Sequence, residues 1–313
     1  MKKVSFVIPC YRSANTIGVV VDEIRDTMPT LPEYDYEIIL VNDCSPDNTF
    51  DVISALARSD DRIIAVDLAK NFGQHAALMS GISHSTGDFV VCLDDDGQTP
   101  ANEVGKLLAR LDQDDCDVAM ASYEHKQHSA FRNFGTKLNN RMTEIMLGKP
   151  RDLSMTSYFA IKRFVVDEML KYKNCFPYLD GLILRCTRRI RTVPVQHRAR
   201  MEGSSGYTLG KLFALWMDGF TAFSVKPLRL ASIFGALTAF AGFIYTIVII
   251  IKHFIYSDIP TGWSSTMALQ LILGGVILLV LGLVGEYIGR IYMCINAAPQ
   301  YVERSVIRRG DGE

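Results

Sequence analysis

The sequence predicts an α/β domain, a mostly parallel sheet wrapped by helices, followed by a pair of membrane-spanning helices. Three observations predict it. Short apolar runs alternate with segments of helical period through the first part of the chain. Each apolar run ends in polar residues, most strongly Asp94-Asp95-Asp96 after Val90–Leu93. Two later stretches, Leu230–Ile251 and Thr266–Gly285, carry no charged residue. Each reaches the roughly 20 residues needed to cross ~30 Å of hydrocarbon.

The first strand is Val4–Ile8, ended by Pro9, with Cys10–Asn15 as the loop beyond it. Thr16–Met28 then has helical spacing, with Ile17, Val20, Val21 and Ile24 on one face. Glu37–Val41 is a second strand. It runs into turn and N-cap formers, Asn42 to Thr49, which start a helix over Phe50–Ala57. Ile63–Leu68 is the third strand, followed by Ala69–Gln74 and a small-residue helix from His75 to about His84. Asp88–Leu93 is the fourth and delivers the acid cluster. Every strand thus drops its polar residues at the edge where an open α/β sheet binds ligands.

Two further stretches exceed what a minimal α/β domain needs. Ser129–Leu147 reads as a basic amphipathic helix, with Phe131, Phe134, Leu138 and Met142 against Arg132, Lys137 and Arg141. Tyr207–Phe223 is rich in aromatic and aliphatic residues and directly precedes the first span, a composition suited to the headgroup layer. Lys226 and Arg229 precede the spans, and Arg290, Arg304, Arg308 and Arg309 follow them. The Lys252–Ser265 connection carries one Lys. That asymmetry predicts both termini on the cytoplasmic side of the inner membrane. Glu286 and Arg290, four apart, are spaced to pair.

The composition excludes some classes. A net charge of −1 gives no global attraction to nucleic acid. Seven cysteines without C-x-x-C pairs or zinc spacing fit free thiols in a reducing cytosol. The opening residues do not read as a signal peptide, because their apolar run is short and leads straight into a globular pattern. Boundaries are expected at 1–206 for a cytosolic domain and 207–227 for an interfacial helix. A two-helix hairpin is expected over 228–296 and a cytosolic tail over 297–313.

Carboxylates gathered at a strand end repel one another unless a cation lies between them. Asp94 and Asp96, with Gln98 close behind, offer hard oxygen ligands suited to Mg²⁺ or Mn²⁺, a metal shared with phosphate oxygens. The plainer alternative is a solvated acidic turn.

Five motifs in order, followed by two spans, carry a resemblance over nearly the whole chain. Val7-Ile8-Pro9-Cys10-Tyr11 is similar to a P-x-Y-N-E opening, with Arg12 and Ser13 in place of Asn-Glu. Val41-Asn42-Asp43-Cys44-Ser45-Pro46-Asp47 is similar to V-D-D-G-S-x-D. Asn71-Phe72-Gly73 matches an R-N-F-G-K loop, with Lys70 for Arg and Gln74 for Lys. Asp94-Asp95-Asp96-Gly97-Gln98 stands for D-A-D-L-Q. Arg200, Gly203, Ser205 and Tyr207 resemble R-x-x-G-x-S-K-Y, with Gly206 for Lys. The chain resembles the membrane-attached polyprenyl-phosphate glycosyltransferases of family 2, with a GT-A (Rossmann-like) catalytic domain.

That resemblance implies roles. Pro9, Tyr11 and Asp43 would hold nucleobase and ribose, and Lys70, Asp94 and Asp95 would complete the nucleotide-sugar site. Asp94, Asp96 and Gln98 would hold the metal on the donor diphosphate. Asp96 and Arg200 would be catalytic. Arg132, Arg141 and Arg200 would position the lipid phosphate. The acid of the relatives' D-T-G-D-F-R-L stretch is absent here, where Ser154–Ala160 aligns and Ser157 is the nearest candidate. A sugar hydroxyl would need a base, whereas a phosphate monoester, with a second pKa near ~6, arrives ionised. The expected activity is inverting, metal-dependent transfer of a hexose from a nucleotide sugar, UDP-linked, to polyprenyl (undecaprenyl) phosphate. Membrane lipids and further copies of the chain are the other expected partners. The alternatives are a catalytically reduced membrane scaffold and a processive polysaccharide synthase. The latter's Q-x-x-R-W motif is missing.

Overall fold

The computed structural model describes residues 1–123, 150, 153, 155–196, 226–255 and 262–310. The chain forms two compact units, 1–212 with 297–313, and 213–296.

The first unit opens with β1 (Lys2–Cys10), α1 (Ile17–Thr27), β2 (Tyr34–Asn42), α2 (Thr49–Ser59), β3 (Ile63–Leu68), α3 (Gln74–His84) and β4 (Phe89–Cys92). It continues through α4 (Val104–Leu111), β5 (Val118–Tyr123), β6 (Phe159–Lys162), α5 (Arg163–Leu170), α6 (Leu179–Cys186) and β7 (Ile190–Val195). After the second unit the chain returns with β8 (Glu303–Ile307). The eight strands form one sheet in the order β7-β5-β6-β4-β1-β2-β3-β8. Four neighbouring pairs are parallel: β1/β2, β1/β4, β2/β3 and β5/β7. Strand β6 runs antiparallel to β4 and β5, and β8 antiparallel to β3. The expected mostly parallel α/β sheet is therefore present.

The central strands are buried on both faces, which is why β1 to β4 read as continuous apolar runs rather than alternating ones. One face packs Phe6, Ile8, Ile38 and Leu40 against Ile17, Val21 and Ile24 of α1. On α3, Gly81 lets the helix lie close to the strands. A Cβ there would meet Val7 Cγ1 at 2.4 Å and Val41 Cγ2 at 3.0 Å. Below the sheet's amino end, the buried Glu37 carboxylate accepts from Lys3 Nζ (2.6 Å), Ser5 Oγ (2.6 Å) and Thr86 N (2.6 Å).

Chain order sets where ligands go. From β1 the chain steps to β2 and β3 on one side, then crosses back to β4 on the other. The strand order therefore reverses between β1 and β4. In open α/β sheets ligands bind beyond the carboxyl ends of the strands at such a switch point.

The second unit contains α7 (Lys226–Ile255) and α8 (Trp263–Ile295). Among the described residues, Leu273–Ile295 is long and apolar enough to cross a membrane, and Gly235–Tyr245 is a shorter apolar stretch. Both helices leave large apolar side chains bare, with Leu278 71% and Ile295 76% exposed. The Glu286–Arg290 pair forms, Arg290 Nε donating to Glu286 Oε1 at 2.9 Å.

One expectation is corrected. Residues 297–313 do not form a tail throughout, because Glu303–Ile307 is a strand of the sheet. The bare edge of β3 gives that segment backbone partners that no local pattern announces. The predicted helices over Ser129–Leu147 and Tyr207–Phe223 lie outside the described residues.

Candidate active site

The loops at the strand ends are built from residues with unusual backbone angles. Arg12 after β1 and Cys44 after β2 have φ of 56° and 49°. Positive φ in non-glycine residues costs energy and survives where surroundings enforce it. Here Arg12 N donates to Ser45 Oγ (2.8 Å), Ser13 N to Thr49 Oγ1 (3.0 Å) and Asp43 N to Cys10 O (3.1 Å). Just before α2, Asp47 Oδ1 accepts the N–H of Thr49, the helix's first residue, at 3.2 Å.

Asp43 has a different task. Its two oxygens accept the backbone N–H of Phe72 (2.7 Å) and Gly73 (2.9 Å) in the loop after β3. Burial raises its pKa, and those two N–H groups work against the rise. Asn71 Nδ2 adds a bond to Asp43 O at 3.1 Å. Gly73, with φ of 88°, makes the turn into α3 that a side chain would resist. Lys70 is exposed, its ammonium 4.9 Å from the Phe72 ring centroid.

The acid cluster follows β4. Asp94 Oδ1 accepts from Gln74 Nε2 at 3.0 Å, and Asp94 Oδ2 accepts from the Ser157 hydroxyl. Asp95 points inward, its Oδ2 accepting Tyr11 N–H at 2.9 Å. Burial, reinforced by Asp94 and Asp96 and opposed by its hydrogen bonds, pushes the Asp95 pKa up to about 6. Gly97 turns the chain with φ of 72°, and Gln98 N donates to Asp96 Oδ1 at 3.0 Å. Tyr123, at the end of β5, has its hydroxyl pKa raised by burial and by the charges of Asp94 and Asp96.

The structure thus brings Pro9, Tyr11, Asp43, Lys70, Asp94, Asp95, Asp96 and Gln98 to one edge of the sheet. Two hydrogen-bonded chains link Tyr11, Asp43, Asp94 and Asp95 to their neighbours. One runs from Asp43 through the Phe72–Gly73 loop to Gln74, Asp94 and Ser157, and the other joins Tyr11 to Asp95. Arg132, Arg141 and Arg200 lie outside the described residues. Sequence reasoning missed Gln74 and Tyr123 as neighbours of the acids. Gln74 occupies the last position of the N-F-G motif, a signal that pointed to the loop but not to its partner.

Among the described residues, no group of three or more His, Cys, Asp or Glu side chains converges as a metal cage. Magnesium characteristically takes one or two carboxylates and completes its shell with water and substrate phosphate. Asp94 and Asp96 with the Gln98 amide fit such an ion in donor chemistry.

This constellation belongs to a known class. The family described as glycosyl transferase family 2 matches residues 5–170, more than half of the chain, and the chain belongs to that family. It is a glycosyltransferase. Residues 226–291 match a second description, the GtrB C-terminal hairpin. Among curated relatives, undecaprenyl-phosphate 4-deoxy-4-formamido-L-arabinose transferase of Klebsiella pneumoniae subsp. pneumoniae is 32% identical over 312 residues, covering 99% of this chain and 95% of the relative. The same-named protein of Klebsiella pneumoniae strain 342 is also 32% identical, with the same coverage. Among solved structures, glucosyl-3-phosphoglycerate synthase of M. tuberculosis has a TM-score of 0.51 at 19% identity, over 69% of this chain and 77% of that one. A complex of that synthase with Mn²⁺ and UDP-glucose has a TM-score of 0.50 at 19% identity, over 70% and 77%. These structural likenesses establish the shared GT-A-like fold.

Proposed function

We propose that the protein transfers a sugar, a hexose by the sequence reading, from a UDP-sugar to a polyprenyl phosphate at the cytoplasmic face of a membrane. The transfer proceeds with inversion and depends on Mg²⁺ or Mn²⁺. The observation that carries the proposal is the Asp94–Asp96 cluster at the β1/β4 switch point beside the loop held by Asp43. Its support is the 32% identity, over nearly the full length, to a transferase named for undecaprenyl phosphate.

In this reading Tyr11 and Asp43 border the nucleoside, Pro9 shapes the β1 exit, and Lys70 lies toward the diphosphate. Asp95 acts through Tyr11, whose amide it holds. Asp94, Asp96 and Gln98 would hold the metal, which when bound offsets the charge that builds on the departing diphosphate. Gln74 and Ser157 fix the orientation of Asp94 before substrate arrives. The nucleophile is an ionised phosphate oxygen, so no base is needed at pH 7, and its placement within about 3–3.5 Å of the anomeric carbon falls to cations. Arg132, Arg141 and Arg200 are assigned that task, Arg200 also facing the reacting phosphate.

The bare apolar surfaces of α7 and α8 support two membrane spans, and the Lys/Arg distribution supports a cytoplasmic catalytic domain. The test is incubation of detergent-purified protein with undecaprenyl phosphate and a panel of nucleotide sugars. That panel includes UDP-hexoses and UDP-4-deoxy-4-formamido-arabinose, each with and without EDTA. A metal-dependent lipid-linked sugar is expected. No product from any donor, or a product indifferent to EDTA, overturns the proposal.

A further inference from the structure

Strand β8 does more than cover an edge. Its entry runs along the carboxyl end of β3, where the Ala69–Gly73 loop begins. Ala69 N donates to Val302 O at 2.8 Å. Arg304 Nη2 donates to Ala69 O at 3.0 Å, and Arg304 Nη1 to Asp67 Oδ2 at 3.1 Å. Asp67 is a β3 carboxylate only 2% exposed, and its other oxygen accepts from Asn42 Nδ2 at 2.7 Å. Asn42 Oδ1 in turn accepts from Ser45 N at 3.2 Å. One guanidinium therefore ties together the ends of β2 and β3 and the first residue of the loop. At the far end of the same loop, Asp43 holds Phe72 and Gly73. The loop is clamped at both ends, with Lys70 and Asn71 between.

We propose that Arg304 is a positioning residue for the nucleotide-sugar site, acting through Asp67 and Ala69 on the 69–73 loop. The inference rests on the reading of Asp43 and this loop as the donor pocket. The planar fork of arginine reaches a carboxylate and a carbonyl at once, and a lysine ammonium on its flexible stem holds the two less firmly. Without Arg304 the buried Asp67 loses the guanidinium, and the near end of the loop keeps its Ala69–Val302 backbone bond but loses the grip on the Ala69 carbonyl. Ordering the loop then falls on donor binding. The far end of the loop stays held by Asp43, and with it the Gln74 bond to Asp94, so the effect belongs in affinity rather than in turnover.

The experiment uses the full chain in detergent and compares Arg304→Ala, Arg304→Lys and Arg304→Gln with wild type. Arg25→Ala, which breaks a bridge to Asp60 and Asp22 remote from the loop, is the control for general destabilisation. Readouts are the Kd for UDP with Mn²⁺ (GDP as second probe), the split between donor KM and kcat, and hydrogen exchange of residues 69–74. Arg304→Ala should weaken UDP binding about 10-fold, raise donor KM in step, leave kcat within about 3-fold and speed exchange in the loop. Arg304→Lys should recover part of the loss. Arg304→Gln carries the comparison if the alanine variant does not fold. Unchanged loop exchange and affinity in Arg304→Ala, or an equal loss in Arg25→Ala, overturns the inference. Asp43→Asn tests the underlying reading separately. Wild-type nucleotide affinity in that variant removes the donor-pocket assignment and this inference together. Loss there with no loss in Arg304→Ala removes the inference alone.

Discussion

Asp94 is gripped from two sides, by Gln74 at the start of α3 and by Ser157 just before β6. Such support matters where a carboxylate must meet a cation in one geometry. Asp94→Ala and Asp96→Ala are therefore each expected to abolish turnover while leaving the far-ultraviolet circular dichroism unchanged. Near wild-type rates with Mg²⁺ or Mn²⁺ would defeat the metal assignment. Ser157→Ala removes one neutral bond and leaves Gln74 in place. Its expected cost is below ~10-fold, about 1.4 kcal/mol, appearing as a higher metal requirement. Arg200→Ala should cost at least ~100-fold in kcat/KM for the lipid, with Arg200→Lys restoring part of it. A larger loss in Ser157→Ala than in Arg200→Ala would show that the acceptor is activated at Ser157. The acids were legible in the sequence because an apolar run ending in three Asp is a local signal. The partners of Asp43 were not. Its neighbours suggested a helix start, but there it is Asp47 that accepts the Thr49 N–H, and the amides Asp43 holds come from a loop a full β-α-β unit away.

Among the elements, the first four strands and three helices could be read from period and turn chemistry, with ends displaced by a few residues. Strands β5, β6 and β7 had no such signature and take their identity from pairing with neighbours. Close packing of helix on strand gives a contrast in one residue type. Gly81→Ala would drive a methyl into Val7 and Val41, and about 1–3 kcal/mol of destabilisation is expected. Gly18, in α1, has open space around its Cα. Gly18→Ala should stabilise by about 0.5–1 kcal/mol. Thermal unfolding of both variants checks the pair, and a common sign would contradict the packing. At the opposite end of the sheet, burial raises the Glu37 pKa, and the bonds from Lys3, Ser5 and Thr86 outweigh it to leave the value lowered. A depressed carboxylate contributes stability that is fully present above its ordinary value of 4.5 and is lost as pH falls through the folded value. Glu37→Gln is expected to cost about 2 kcal/mol at pH 7. Its deficit relative to wild type should shrink in chemical denaturation below about pH 4. A deficit constant with pH would remove the linkage.

For the whole molecule, the two uncharged stretches were the plainest feature of the sequence, because a bilayer demands length and apolarity and little else. The topology proposed from their flanking charges is testable by accessibility. Tags at Met1 and at Glu313 should be reached only from the cytoplasm, and a tag within Ile259–Ser264 only from outside. A C-terminal tag on the outer face would sink the two-span arrangement. The union of 297–313 with the first unit was illegible, because β8 is a short mixed segment whose partner strand ends at Leu68, far back in the chain.

That return has a consequence for biogenesis. A ribosome delivers β3 early and its edge partner β8 last, after both hairpin helices have been made. Throughout that interval β3 offers a bare ladder of N–H and C=O groups on a strand that is apolar but for Asp67, the kind of edge that recruits stray chains. Completion of the catalytic domain is thus timed by synthesis of the hairpin. A chain halted before Glu303 would carry an open seam beside Asp67.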